Sequence, residues 1–170
     1  MRIFLTGLPG SGKSNLGKLW AIDNGLAFYD LDEMLEKEER MTVEKIFATY
    51  GEGYFREKEA AVLRNTDRFD NCIIACGGGT PCFFDNMDWM NRYGLTVFLD
   101  ESPENIFHHL VNDKTIRPLL PGGKEGLEGF IKEKSAERYG GYKESTIILA
   151  SADLNRNGFE KIISRRSSQI

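Results

Sequence analysis

Short apolar segments recur along the 170-residue chain, and most are followed by a stretch with helical spacing. A continuous apolar run of roughly four to eight residues is typical of a strand that is covered on both faces, as in a parallel sheet. Five such strands are predicted, at Arg2–Thr6, Leu26–Asp30, Cys72–Cys76, Leu95–Leu99 and Thr146–Ala150. Strands that alternate with helices indicate one α/β domain over residues 1–170, with a mainly parallel five-stranded sheet flanked by helices.

The helices are marked by their spacing and by their caps. Thr42 and Ser102 each precede a helical pattern that has an acidic residue in its first turn, which suits the helix dipole. Gly51 is expected to interrupt the helix that Thr42 begins. The expected helices cover 13–23, 32–40, 43–48, 54–66, 159–166 and a segment that starts at Pro103.

The segment from Asp113 to Gly129 resists assignment because prolines and glycines are concentrated in it. In a helix each proline would cost about 3 kcal/mol and each glycine about 1 kcal/mol. The residues concerned include Pro118, Pro121, Gly122, Gly123 and Gly126. A long irregular segment inside a compact domain is typical of either a functional lid or a disordered loop.

The composition excludes several classes of function. Lys and Arg total 22 against 26 Asp and Glu, which gives a net charge of −4 and no dense basic surface for nucleic acid. No apolar run approaches the roughly 18 residues of a membrane-spanning helix, and Met1–Thr6 turns to glycine too soon for a signal peptide. We therefore expect a cytoplasmic protein with no nucleic-acid or membrane partner.

The cysteines indicate little chemistry. Cys72, Cys76 and Cys82 form an odd set, and only His108 and His109 could join them in a zinc site, which needs about four ligands in tight pairs. We interpret the three thiols as free and the two histidines as surface or half-buried residues.

The glycines are more informative, since the chain has 18 of them where average usage predicts about 12. Gly7-Leu8-Pro9-Gly10-Ser11-Gly12-Lys13-Ser14 fits the pattern G-x-x-x-x-G-K-[ST] between the first predicted strand and the first helix. The backbone amides of such a loop bind phosphate oxygens, the lysine contacts the β- and γ-phosphates, and the Ser14 hydroxyl binds Mg²⁺. This segment predicts a nucleoside-triphosphate site.

A carboxylate linked to the magnesium ion has to follow another strand. The third predicted strand continues directly into Gly77-Gly78-Gly79, and no guanine-reading N-K-x-D sequence is found. Asp30 and Asp32 are the candidates, because ligands of a parallel sheet gather at the carboxyl ends of its strands. The alternative interpretation is that either aspartate only caps the following helix.

Six segments, taken in order, carry a resemblance to the shikimate kinase family over nearly the whole chain. They are the glycine-rich loop, Asp30-Leu31-Asp32, the set Ile46-Phe47-Ala48-Thr49 with Gly51-Glu52, Phe55-Arg56 and Glu59, the triplet Gly77-Gly78-Gly79, Arg117-Pro118-Leu119-Leu120, and Arg138 with Tyr142. The resemblance implies a P-loop fold like that of nucleoside monophosphate kinases. It also implies transfer of the γ-phosphoryl group of ATP to the 3-hydroxyl of shikimate, and we expect a monomer.

The resemblance implies roles for residues on the acceptor side. Arg56 and Arg138 are expected to hold the carboxylate, a task suited to planar guanidinium groups. Asp32 is expected to bind hydroxyls and accept the attacking proton, and Gly77–Gly79 to let the backbone approach the ring. The acceptor-binding region would cover about 31–62.

On the nucleotide side, the lid would cover about 113–124 and supply Arg117, which neutralises phosphate charge. Lys13, Asp32 and Arg117 are the expected catalytic residues, and Ser14, with Asp30 acting through water, is expected to hold Mg²⁺. The expected ATP contacts are Gly10, Ser11, Gly12, Lys13, Ser14, Asn15, Arg117 and Arg156.

The chain departs from the family pattern in three places. Asn15 replaces a common threonine, Gly140 and Gly141 are expected to loosen the helix that directs Arg138, and only Asn155-Arg156-Asn157 represents the adenine-contacting segment.

Two alternatives stay open. One is a kinase of the same fold that acts on gluconate or a nucleoside monophosphate, and the other is a regulator that binds ATP without turnover.

Overall fold

The computed structural model describes residues 1–112 and 124–167 of the chain. Within this part, five parallel strands form one sheet in the order β2-β3-β1-β4-β5. The strands are β1 Arg2–Thr6, β2 Ala27–Asp30, β3 Cys72–Ala75, β4 Leu95–Asp100 and β5 Ile147–Ala150. The predicted α/β class and all five predicted strands are confirmed, with ends that differ by one residue at most.

Seven helices surround the sheet in the described residues. They are α1 Lys13–Asn24, α2 Leu31–Glu39, α3 Val43–Arg64, α4 Asn86–Tyr93, α5 Pro103–Asn112, α6 Lys124–Lys143 and α7 Gly158–Ser167. Short 3₁₀ turns lie at Asn65–Arg68, Thr80–Cys82 and Ser151–Asp153.

The helix caps act as their side chains predict. The amide of Lys45 donates to Thr42 Oγ1 at 3.3 Å, and the amide of Asn105 donates to Ser102 Oγ at 3.2 Å. Gly51 breaks α3 as expected, since its φ of 80° and ψ of 176° are not helical.

The expectation of an irregular segment up to Gly129 is wrong at its C-terminal end. Helix α6 begins at Lys124, so both Gly126 and Gly129 are helical. Residue 126 therefore does not belong to a loop, although residues 113–123 lie outside the described residues. Burial outweighs the helix cost of these glycines, because Leu127 and Ile131 on α6 are buried in a cluster with Ile106 of α5. No pattern in the sequence predicted α4.

Both faces of the sheet are covered, as the uninterrupted apolar strands require. Phe4 and Ile74 point into a core with α2, α3 and α4. Their neighbours Ile3 and Ile73 point to the opposite core, which α1 and α7 cover. Burial raises the pKa of the thiols of Cys72 and Cys76, which behave as small hydrophobic groups in this interior.

The parallel order brings the carboxyl ends of all five strands to one edge. The glycine-rich loop follows β1, Asp30 ends β2, and the glycine triplet follows β3. These three segments lie side by side because β1, β3 and β2 are neighbours in the sheet. Among the described helices, none combines the length and apolarity that a bilayer crossing requires.

Candidate active site

The loop Gly7–Ser14, called the phosphate cradle below, has a backbone that only glycine adopts readily. Gly7, Gly10 and Gly12 have φ values of 142°, 83° and 89°. Space also restricts Gly10, because a methyl group added there would lie 2.8 Å from Leu110 Cγ on α5. The N-cap of α1 is Gly12, which has no side chain to occupy the first amides of the helix. The cradle therefore presents amides and a helix N-terminus to an anion.

Lys13 lies folded against the cradle. Its Nζ donates to the carbonyl oxygens of Gly7 and Leu8, each at 2.8 Å, and the residue is 9% exposed. The ammonium group is thus held beside the amides that would bind phosphate.

Asp30 caps α2 and also contacts Ser14. Its Oδ1 accepts from the amide of Asp32 at 3.0 Å and caps α2. Its Oδ2 accepts from the hydroxyl of Ser14 at 2.6 Å. A hydroxyl and a carboxylate oxygen at the first turn of α1 are ligands that suit Mg²⁺. In residues 1–112 and 124–167 no group of three or more His, Cys, Asp or Glu side chains could hold a metal by itself.

Arg56 is a buried cation on the second half of α3. It is 6% exposed, and its Nη1 donates to Glu59 Oε2 at 2.7 Å. Its Nε and Nη2 each lie 3.2 Å from Glu52 Oε1. The ring of Phe83 lies 4.2 Å from the Arg56 Cζ. These contacts hold the guanidinium group in one orientation.

The glycine triplet brings the other predicted acceptor residues together. A methyl group at Gly77 would lie 2.7 Å from Glu59 Oε1 and 3.1 Å from Asp32 Oδ1. At Gly79 it would lie 2.5 Å from Nη2 of Arg56. A side chain at either position would therefore displace the Glu59 carboxylate or the Arg56 guanidinium group.

Gly78 is the point where the two sides of the site meet. A methyl group there would lie 2.8 Å from Cδ of Pro9 in the phosphate cradle and 3.3 Å from Nη1 of Arg138. We use the name acceptor pocket for Asp32, Arg56, Gly77–Gly79 and Arg138. The acceptor pocket and the phosphate cradle therefore share a wall.

Arg138 is held differently from Arg56. Its Nε is buried without a hydrogen-bond partner among the described residues, and the nearest carboxylate oxygen recorded for it, Glu137 Oε1, lies 3.9 Å away. In native proteins a buried unpaired donor calls for an explanation, and an absent ligand is one of the few available. Ser11 Oγ, in the phosphate cradle, is the other such atom in the described part of the chain.

Tyr142 connects α6 to the triplet. Its hydroxyl donates to the carbonyl of Gly78 at 2.5 Å, and burial raises its pKa, so the phenol stays protonated as the donor. The glycine pair before Tyr142 does not end the helix. A methyl group at Gly141 would lie 3.2 Å from Cys82 Sγ, so this glycine permits α6 to approach the turn after the triplet.

Arg156 lies apart from this centre. Arg156 makes two hydrogen bonds to the carboxylate of Asp23, at 2.8 and 2.5 Å, near the C-terminal end of α1. Asn15 is exposed in the first turn of α1. Arg117 and most of the predicted lid lie outside the described residues.

Three residues at the site were not predicted as site residues. Glu59 and Thr80 are buried beside the acceptor pocket, and His109 of α5 is exposed with its Nδ1 2.8 Å from the carbonyl oxygen of Gly10. Glu59 falls within the quoted family pattern, which could have signalled it. Nothing in the sequence indicates Thr80 or His109, because their partners are distant along the chain.

Comparison with known proteins then identifies the family. A family model described as shikimate kinase matches residues 9–166. The chain belongs to the shikimate kinase family. The shikimate kinase of Bacteroides fragilis is 42% identical over 155 residues, which cover 91% of this chain and 87% of that protein.

Two solved shikimate kinase structures agree. The structure from Bacteroides thetaiotaomicron is 38% identical, covers 99% of this chain and 97% of its own, and gives a TM-score of 0.89. The structure from Acinetobacter baumannii, which is in complex with shikimate, is 27% identical, covers 99% of this chain and 93% of its own, and gives a TM-score of 0.86. The predicted family, P-loop fold and kinase function are therefore confirmed.

Proposed function

We propose that the chain transfers the γ-phosphoryl group of ATP to the 3-hydroxyl of shikimate. The observation that carries this proposal is the shared wall at Gly78. A methyl group on this residue would contact both Pro9 of the phosphate cradle and Arg138 of the acceptor pocket, so the two regions are neighbours. A phosphoryl donor and a small anionic acceptor bound in them would be adjacent, which is the main requirement of phosphoryl transfer.

On the donor side, the amides of Gly10, Ser11 and Gly12 bind the phosphates, and Asn15 continues that surface on α1. Lys13 exchanges the carbonyl oxygens of Gly7 and Leu8 for phosphate oxygens as the nucleotide binds. Its charge then stabilises the negative charge on the transferred group.

Mg²⁺ fits the pair Ser14 and Asp30. The two side chains are already within 2.6 Å of each other at the cradle, and a cation held here would neutralise the charge of the phosphates. Ser14 would contact the ion directly, and Asp30 would do so through water while it continues to cap α2.

On the acceptor side, Arg56 and Arg138 bind the shikimate carboxylate. Arg138 has a buried Nε that lacks an acceptor among the residues that the structure describes, and a carboxylate oxygen would satisfy it. The related shikimate kinase of Acinetobacter baumannii has been solved in complex with shikimate, and its acceptor site can be compared with this pocket.

Asp32 is the proton acceptor in this proposal. The 3-hydroxyl oxygen attacks the γ-phosphorus, its proton passes to the Asp32 carboxylate, and the bond from phosphorus to the β–γ bridging oxygen breaks. ADP leaves with that electron pair, and no covalent enzyme intermediate forms. The family resemblance assigns Arg117 to charge neutralisation during this step and Arg156 to the adenine.

A coupled assay for ADP tests the function. Purified protein with MgATP should turn over with shikimate, and gluconate or a nucleoside monophosphate should give less than about a hundredth of that rate. Addition of EDTA should abolish turnover, and excess Mg²⁺ should restore it. ATP binding without turnover on any acceptor would favour the regulator instead, and gel filtration of the same sample tests the expected monomer.

A further inference from the structure

Thr80 stands directly behind the acceptor pocket, in the 3₁₀ turn that follows the glycine triplet. The residue is fully buried, and its hydroxyl donates to Glu59 Oε1 at 2.6 Å. Its amide donates to the carbonyl of Gly77 at 3.1 Å, which closes the turn. One residue thus joins the triplet to α3.

Glu59 links Thr80 to Arg56. The carboxylate is 1% exposed, and its second oxygen accepts from Nη1 of Arg56 at 2.7 Å. The other partner of Arg56 is Glu52, whose side chain is 56% exposed and bonds at 3.2 Å. Because solvent weakens exposed ion pairs far more than buried ones, Glu59 is the stronger determinant of where the guanidinium group lies.

Thr80 is also fixed from behind. The side-chain amide of Asn86, a fully buried residue of α4, donates to the Thr80 carbonyl at 2.9 Å. The Oδ1 of Asn86 accepts in turn from Nη1 of Arg64 at 2.9 Å. The Thr80 hydroxyl therefore comes from a rigid support, which is the property that a positioning group needs.

The Glu59 carboxylate needs such a donor because another carboxylate lies nearby. Its Oε1 and the Oδ1 of Asp32 lie 2.7 and 3.1 Å from the same point, the position that a methyl group on Gly77 would take. Like charges this close repel each other. The Thr80 hydroxyl offsets that repulsion on the Glu59 side.

We propose that Thr80 is a positioning residue for the acceptor: its hydroxyl holds Glu59, and Glu59 holds Arg56 in the orientation that binds the acceptor carboxylate. This inference rests on the proposed function of the acceptor pocket. Thr80 does not touch the reacting atoms, so its effect should fall on acceptor binding and leave the nucleotide side unchanged.

The test compares two substitutions that separate the effect of the Thr80 hydroxyl from the effect of the side-chain volume. Thr80→Val keeps the volume and removes the donor, whereas Thr80→Ser keeps the donor. Thr66→Val is the matched control, because Thr66 is also fully buried and its hydroxyl donates to the Leu63 carbonyl at 2.7 Å, outside the site. The measurements are the KM for shikimate, the KM for ATP, the thermal midpoint Tm, and the Kd for shikimate by calorimetry.

Thr80→Val should raise the KM and Kd for shikimate roughly three- to tenfold, as expected when a charged group loses a buried hydrogen bond and part of the loss reaches the ligand. The KM for ATP should change by less than about twofold. Thr80→Ser should restore the values for shikimate. Thr66→Val should lower Tm about as much as Thr80→Val does, and it should change neither the KM for shikimate nor the KM for ATP.

Equal shikimate values for Thr80→Val and the unsubstituted protein would overturn the inference. So would a loss in Thr80→Ser that matches the loss in Thr80→Val. If Thr80→Val does not fold, Thr80→Ala removes the same hydroxyl without added bulk and replaces it in the comparison. Failure of the proposed function is distinguishable, because the unsubstituted protein itself would then neither bind nor phosphorylate shikimate.

Discussion

The phosphate cradle and the acceptor pocket meet at Gly78, yet they are built in different ways. The cradle is eight consecutive residues, Gly7–Ser14, and its form depends on backbone angles that glycine permits. The acceptor pocket takes side chains from α2, α3 and α6, which are far apart in the sequence and meet around the glycine triplet.

This difference decides which changes each region tolerates. A backbone site fails when the main chain is strained, and most of its side chains are incidental. A side-chain site fails when an anchoring partner is lost, even if the main chain does not move. Lys13 and Ser14 are the exceptions in the cradle, because they are expected to act through the charge and the hydroxyl of their side chains.

The largest expected effect is on Lys13. Lys13→Ala should lower kcat about a hundredfold or more, since the lost charge acts on the transition state in a site that excludes water. Lys18→Ala is the control, because this exposed lysine of α1 pairs with Glu33 at 3.6 Å and makes no recorded contact with the cradle among the described residues. Retention of more than about a tenth of kcat in Lys13→Ala would contradict the assigned role.

Arg56 should show the next largest effect. Arg56→Ala should raise the KM for shikimate about thirtyfold or more and leave the KM for ATP within about twofold. It should also destabilise the protein by about 3 kcal/mol, because it leaves the buried Glu59 carboxylate without its ion-pair partner. Steady-state kinetics and chemical denaturation measure the two consequences.

Arg138→Ala provides a comparison with Arg56→Ala within the acceptor pocket. It should also raise the KM for shikimate, but it should destabilise the protein much less than Arg56→Ala, because the Arg138 Nε has no acceptor to lose in the described structure. Equal losses of stability for the two variants would contradict this prediction, because both arginines would then contribute equally to the stability of the fold.

Gly10 tests the backbone side. Gly10→Ala should lower kcat/KM for ATP about tenfold, since alanine at a φ of 83° is strained and its methyl group would lie 2.8 Å from Leu110. Gly53→Ala is the matched control, because a methyl group at that helical position contacts nothing within 4 Å. A normal kcat/KM in Gly10→Ala would indicate that the cradle is not a backbone site.

Arg156 should give the smallest effect. If it contacts adenine, Arg156→Ala should raise the KM for ATP about two- to fivefold and leave the KM for shikimate unchanged. Asp23→Asn separates the alternatives, because it weakens the ion pair with Arg156 and leaves the arginine in place. A KM for ATP that responds equally to both substitutions would assign Arg156 to the surface pair alone.

The same contrast explains how much could be predicted from the sequence. The strand, loop and helix that form the cradle were predicted, since β1, the loop and α1 are consecutive and their signals are local. Arg56 and Arg138 carry no local signal that separates them from surface arginines, and only the family resemblance selected them.

The residues that sequence reasoning missed depend on tertiary contacts. Thr80 acquires its role from Glu59, which lies 21 positions earlier in the chain. His109 lies 99 positions after the cradle residue that it contacts. Likewise, the helix propensities of Gly126 and Gly129 disfavour α6, and packing against α5 stabilises this helix. Such effects arise only once the chain has folded.

The two buried atoms without partners have a consequence for inhibitor design. Most polar groups in the site already bond to protein, so a ligand has to compete for them. Ser11 Oγ and Arg138 Nε lack such a competitor among the described residues, and an acceptor atom placed on either gains a hydrogen bond without breaking one. A bisubstrate compound that directs one oxygen to each atom would span the wall at Gly78 and draw selectivity from both substrates at once.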